Sequence, residues 1–353
     1  MYELNRKIRD LEPYEPLKGD YRIRLDANES FLPLPDSVKQ AAFQKLETLS
    51  LNRYPDPTAA GLCAAFAQSY QVPVENVAAG NGSDELISVI FQSFLMKGDT
   101  YTVISPDFSM YKFYGYISEC RCVEIEKGEN FTIDLDKVIE TCNNEKVKLL
   151  IFSNPCNPTG VGLCRRDIRR LVQSVSALVV LDEAYMDFWE ESMLGEFDAY
   201  DNLLILKTCS KAFGLAALRV GFAVGQEKLV RAIKAVKSPY NVNSLSQSLA
   251  ETVLSARDET KAAFAAIKAS KAALEAGLFE TAARFPEKLE VFNSVTNFVV
   301  VKTPYAEALF GYLLEKSIAV RYFKNMSALR ITAGTAEENE AVLRETAAFF
   351  EKV

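Results

Sequence analysis

From residue 77 onward the chain alternates short apolar runs with polar or glycine-rich loops, and helix-period segments lie between several of them. "NVAAG" leads into "NGSDELISVIFQSFL", "TYTVIS" into "PDFSMYKFYG", "VKLLIF" into "SNPCNPTG", "ALVVL" into "DEAY" and "NLLIL" into "KTCSKAFG". Continuous β-branched and Leu-rich runs alternating with helices predict an α/β fold whose mainly parallel sheet is covered on both faces. Upstream, helical periodicity runs from about Asp36 to Thr48, breaks at the "YPDP" of 54–57, and resumes to about Tyr70. Residues 1–35 are proline-rich and irregular, as expected of an arm lying over other structure. Near "KSPYNVNSLSQ" (237–247) the rhythm changes. A long Ala- and Lys-rich helix to about Phe285 is followed by a strand at 297–301, an amphipathic helix at 305–316, the strand "IAVRYF", "ALRITAG" and a closing helix. The expected division is an arm (1–35), a large domain (36–240) and a smaller α+β domain (241–353).

Composition narrows the chemistry. The 353 residues are 49% hydrophobic and 25% charged, ample material for a globular core. Forty basic against forty-seven acidic residues give a net charge of −7, which argues against a nucleic-acid binder. No apolar run is long enough to predict a membrane span, and the first twenty residues lack the apolar segment of a secretory signal. Seven scattered cysteines without metal-ligand spacing read as reduced thiols, so no metal site and a cytoplasmic location are expected. The chain has no histidine. Ser-His-Asp and Cys-His catalysis and His-ligated zinc are thereby excluded. Lys, Tyr, Asp or a cofactor must carry any reaction.

The candidate residues sit at strand ends, where ligands collect in open α/β sheets. "GNGSDE" would open a helix at Ser83 and Asp84, leaving first-turn N–H groups for a phosphate; an ordinary helix cap is the plainer reading. Asn157 lies in the turn "NPTG", and Asp182 ends the most apolar strand and precedes Tyr185. Thr208, Ser210 and Lys211 follow the next strand, with Arg219 eight residues on. Taken singly, each has a routine structural explanation. Together they offer an amine for an electrophilic carbon, a carboxylate for a protonated nitrogen, donors for a phenolic oxygen and a seat for a phosphate. Pyridoxal 5′-phosphate has those four features.

"SNPCNPTG", "VVLDEAY", "KTCSKAFGLAALRVGF" and "ALRITAGT" resemble the fold-type-I pyridoxal-phosphate aminotransferases, with the aspartate aminotransferase-like fold. Within them, "EPYEPLKG", "IRLDANES", "NRYPDP" and "GNGSDELI" are similar in order and spacing to the histidinol-phosphate aminotransferase family. The resemblance implies that Lys211 carries the cofactor aldehyde as a Schiff base, that Asp182 pairs with the pyridine nitrogen, and that Asn157 and Tyr185 contact O3′. It further implies that Phe108 stacks on the ring, and that Ser83, Asp84, Thr208, Ser210 and Arg219 hold the phosphate. Tyr54 would reach the phosphate from the other subunit of a homodimer. Arg330 would clamp the substrate carboxylate, and Tyr14, Asn28 and Arg321 would lie near substrate. Histidinol phosphate, a phosphorylated amino donor, and 2-oxoglutarate are the implied substrates. The chain departs from the family at "NESFLPLP" and in the short segment between Arg321 and Arg330, both at the substrate rim. Rival readings are an aromatic amino-acid aminotransferase, a threonine-phosphate decarboxylase, or a regulatory domain that binds the cofactor without turnover.

Overall fold

The computed structural model describes residues 2–9, 11–13 and 15–353. In chain order the strands are β1 (Ile23–Leu25), β2 (Val77–Gly80), β3 (Thr100–Ser105), β4 (Arg121–Glu126), β5 (Leu149–Ser153) and β6 (Leu178–Asp182). They continue with β7 (Leu203–Thr208), β8 (Gly221–Gly225), β9 (Glu290–Phe292), β10 (Phe298–Lys302), β11 (Ile318–Phe323) and β12 (Ala328–Thr332). Seven form one sheet in the order β2-β8-β7-β6-β5-β3-β4, and five form a second in the order β1-β11-β12-β10-β9. In the larger sheet only β8 runs against its neighbours, so the expectation of a mainly parallel α/β sheet holds.

Residues of the central strands are buried to either side of that sheet. Val179, Leu181, Leu203 and Ile205 join a core with Phe66, Ile168 and Leu171. Val180, Leu204 and Leu206 join a second core with Leu86, Ile90 and Ile233. Alternate residues thus feed opposite layers, and both layers are apolar, which is why these runs read as continuous hydrophobic stretches. The helices Ala60–Tyr70 and Arg165–Ser174 supply the first layer; Ser83–Phe94 and Glu227–Val236 supply the second.

Two expectations need correction, and one strand was not anticipated. The Ala-rich helix is two helices, Ser244–Ser255 and Arg257–Arg284, broken at Ala256. Residues 1–35 are not wholly irregular: β1 pairs in parallel with β11, setting Ile23 opposite Ile318 and Leu25 opposite Val320. That pairing leads the chain past Asp26 and Ala27 to Asn28, which is buried. Strand β4 has only one buried residue, Ile125, and polar neighbours, so its pattern carries little signal.

Candidate active site

The strand ends predicted to carry chemistry converge between the two sheets. Asp182, the last residue of β6, is 4% exposed. Its Oδ2 accepts from the Tyr111 hydroxyl at 2.8 Å and its Oδ1 from the Ala184 N–H at 3.1 Å. Burial raises its carboxyl to about 6, and the nearby Asp107 and Asp84 push the same way. Among the described residues it makes no ion pair, so its charge is held by neutral donors. A buried carboxylate in that state is set to receive a cationic group from outside the chain.

Lys211 follows β7. Its amine donates to the Ala27 carbonyl at 2.9 Å and lies 5.9 Å from the centre of the Tyr185 ring. Desolvation, with the neighbouring positive Arg330 second, lowers it from 10.5 to about 8. About a tenth of the amine is therefore neutral at pH 7, against well under a thousandth for an ordinary lysine, which favours a nucleophilic amine. The Tyr185 hydroxyl accepts from Asn28 Nδ2 at 2.8 Å, and burial pushes it up to about 12. Asn28, at φ 53°, also exchanges hydrogen bonds with Thr332: its N–H donates at 3.1 Å and its Oδ1 accepts at 3.0 Å.

The helix Ser83–Phe94 starts without a side-chain cap. Gly82, at φ 85°, permits the turn and leaves room for Arg219, whose Nη2 would lie 2.8 Å from any Cβ added there. A Cβ on Gly221 would lie 2.3 Å from Ser83 N, so only glycine lets β8 back this helix start. Thr208, Ser210 and Arg219 complete the wall. Ser210 N donates to Thr208 Oγ1 at 3.1 Å, and Arg219 Nη1 donates to Ser210 Oγ at 3.3 Å. Uncapped N–H groups, two hydroxyls and a guanidinium make an anion seat. The Asp84 side chain points elsewhere, accepting from the Tyr114 hydroxyl at 3.0 Å.

On the side of the smaller sheet, Arg330 of β12 donates through Nη1 to Asn157 Oδ1 and through Nη2 to the Asp26 carbonyl at 2.6 Å. Arg321 of β11 is its register partner, so both side chains leave the same face. Phe108 packs edge-on against Tyr111, with ring centroids 5.6 Å apart. Tyr54 stands out from the chain: it is 81% exposed and stacks on Tyr240 at 4.6 Å. Tyr14 lies outside the described residues. The sequence reading missed Tyr111, Asp107, Ser153 and the carbonyls of Asp26 and Ala27. "PDFSMY" holds Asp107 and Tyr111 directly after a strand end, and that position was the available signal.

The residues present fit pyridoxal 5′-phosphate: an anion seat and a buried carboxylate without a cation flank a desolvated amine, Lys211, which feels the charges of both Arg219 and Asp182. That set defines the class, a pyridoxal 5′-phosphate-binding protein. Residues 22–345 match the family Aminotransferase class I and II, and the chain belongs to it. Among curated relatives, the histidinol-phosphate aminotransferase of Clostridium kluyveri is 40% identical over 334 residues, 94% of each chain. That of Clostridium novyi is 38% identical over 345 residues, 97% of this chain and 96% of its own. A solved structure, histidinol-phosphate aminotransferase from Sinorhizobium meliloti in complex with pyridoxal-5′-phosphate, shares the fold. Its TM-score is 0.89 at 21% identity, covering 100% of this chain and 98% of that one. As an aminotransferase, the chain takes an amino donor and a 2-oxo acid. No helix among the described residues is long and apolar enough to cross a membrane.

Proposed function

We propose that this aminotransferase moves the amino group of histidinol phosphate to 2-oxoglutarate, a step of histidine biosynthesis, in the cytoplasm. The observation that carries the reading is 33–40% identity, along nearly the whole chain, to curated relatives of that name. Bound among these residues, pyridoxal 5′-phosphate supplies an electrophilic carbonyl for the donor amine and an electron sink for the carbon beside it. With the group bound, Lys211 would take the proton from the substrate Cα and deliver it to the carbon that carried the carbonyl, and would run the same transfer backwards in the opposite half-reaction. Asp182 keeps a proton on the ring nitrogen, and its burial makes that pairing strong. Asn157 and Tyr185 hold O3′, and Phe108 covers one ring face. The start of the helix at Ser83 and Asp84, with Thr208, Ser210 and Arg219, retains the phosphate. Arg330 makes a two-pronged contact with the carboxylate of the 2-oxo acid. Arg321 and Asn28, and Tyr14 from the arm, contact substrate.

The exposure of Tyr54 supports a shared site: in a symmetric homodimer its ring reaches the partner's phosphate seat. We also read the chain as an arm (1–35), a large cofactor domain (36–240) and a small domain (241–353). The experiment is turnover of histidinol phosphate, phosphothreonine and aromatic amino acids side by side with 2-oxoglutarate. Preference for histidinol phosphate supports the reading. Preference for an aromatic amino acid replaces it with that aminotransferase, release of carbon dioxide from phosphothreonine replaces it with a decarboxylase, and no turnover of any donor leaves the regulatory domain.

A further inference from the structure

Beneath the loops that carry Phe108 and Asn157 lies a buried network that the roles above do not use. The Asp107 carboxylate accepts from the Phe108 N–H at 2.7 Å, from the Ser153 N–H at 3.1 Å and from the Ser153 hydroxyl. The same Ser153 oxygen accepts from the Asn157 N–H at 3.1 Å. One carboxylate therefore ties the loop after β3 to the loop after β5. Lys127, just past β4, has a side chain only 1% exposed. Its amine donates to the carbonyls of Ile104 at 2.8 Å and Pro106 at 2.6 Å, sits 3.3 Å from Cys156 Sγ, and lies 4.0 Å from Asp107 Oδ2.

Two charges removed from water at this depth carry a desolvation penalty that apolar side chains of equal volume would not. Ordinary packing does not account for them. What they accomplish locally is geometric: the backbones of Phe108 and Asn157 are fixed to each other through Asp107 and Ser153, while Lys127 compensates the carboxylate and pins the turn at Pro106. We propose that Asp107, with Ser153 as its relay and Lys127 as its counter-charge, is a positioning residue. It sets the spacing between the aromatic on the ring face and the amide at O3′, and so fixes the tilt of the bound ring.

The inference rests on the cofactor reading above, and the test separates the two. Apo-protein of the parent, Ser153→Ala, Asp107→Asn, Lys127→Met and the double variant Asp107→Asn/Lys127→Met is titrated with pyridoxal 5′-phosphate. Affinity, visible circular dichroism of the bound cofactor and the apo unfolding temperature are recorded. Ser153→Ala leaves both charges in place and so remains informative if the charge variants do not fold. The expected result is an affinity about tenfold weaker in Ser153→Ala and Asp107→Asn, the scale of one hydrogen bond to a charged group. The visible ellipticity should fall with it while borohydride still fixes the cofactor to Lys211, and the double variant should lose less than its two single changes together. A network that merely supports the fold would lower the apo unfolding temperature and leave the ellipticity of the bound ring at the parent's value; that result overturns the proposal. If the parent takes up no pyridoxal 5′-phosphate, the cofactor reading itself falls, and this inference with it.

Discussion

Replacing Asp182 by Asn should stabilise the empty protein and weaken the loaded one. Burial raises the Asp182 carboxyl from 3.8 to about 6. At about 1.4 kcal/mol per pH unit, holding the charged form in the empty site costs about 3 kcal/mol at neutral pH. The native carboxyl binds its proton more tightly than the unfolded one, so its contribution to stability is fully present below pH 3.8. It is lost as pH rises through about 6. An amide does not titrate. The stability difference between Asp182→Asn and parent apo-protein should therefore change by about 2 kcal/mol between pH 4 and pH 7, in the variant's favour at the higher pH. Groups that do not couple to the site titrate alike in both proteins, so the pH-dependent part of the difference reports Asp182 together with the neighbouring carboxylates Asp107 and Asp84 that feel its charge. Urea unfolding at the two pH values measures it. Saturating pyridoxal 5′-phosphate should reverse the order at pH 7, because only the carboxylate gains a cationic partner. Transamination by the variant should fall by several kcal/mol in barrier, the scale of one preorganised electrostatic group. A stability difference that is the same at both pH values would refute the reasoning, and equal stabilisation of both proteins by the cofactor would refute the pairing.

Other outcomes follow from the same geometry. In apo-protein, capture of pyridoxal by Lys211 should rise as pH passes through about 8, well below the 10.5 of an ordinary lysine; a midpoint near 10 would contradict the desolvated amine. Arg330→Lys should slow the 2-oxoglutarate half-reaction by about tenfold or more, since an ammonium cannot make the two-pronged contact. The histidinol phosphate half-reaction should suffer less, and equal losses in single-turnover rates would assign Arg330 another partner. Gly221→Ala should sharply weaken cofactor binding, because the new Cβ would lie 2.3 Å from Ser83 N; fluorescence titration at parent affinity would show that the seat does not need this contact. Co-expressed Lys211→Ala and Tyr54→Asp chains should regain activity in the mixed dimer, where one site combines an intact lysine with an intact tyrosine. No recovery would confine Tyr54 to its own chain.

What could be read from the sequence, and what could not, divides by the range of the interaction. Asp182 and Lys211 stood out jointly, as complementary charges following consecutive apolar strands, and the large sheet was legible because its central strands are buried on both faces. Strand β1 was hidden: its three residues carry almost no periodic signal, and its stability comes from β11, which follows nearly the whole chain later. With β1 went Asp26 and Ala27, whose carbonyls reach Arg330 and Lys211, whereas Asn28 was singled out through the family resemblance. Tyr111 looked like one aromatic among several in "PDFSMYKFYG", and only the fold brings its hydroxyl to Asp182. Lys127 resembled any lysine in a polar turn, because the carbonyls and the carboxylate that retain it come from residues some twenty positions earlier.

The most direct measurement is reduction of the purified, cofactor-loaded protein with borohydride, followed by peptide mapping. The site described here predicts a yellow protein whose visible absorbance is lost on reduction, with the pyridoxyl group found on the peptide containing Lys211. Attachment to another lysine, or a protein that takes up no pyridoxal 5′-phosphate at all, would contradict it.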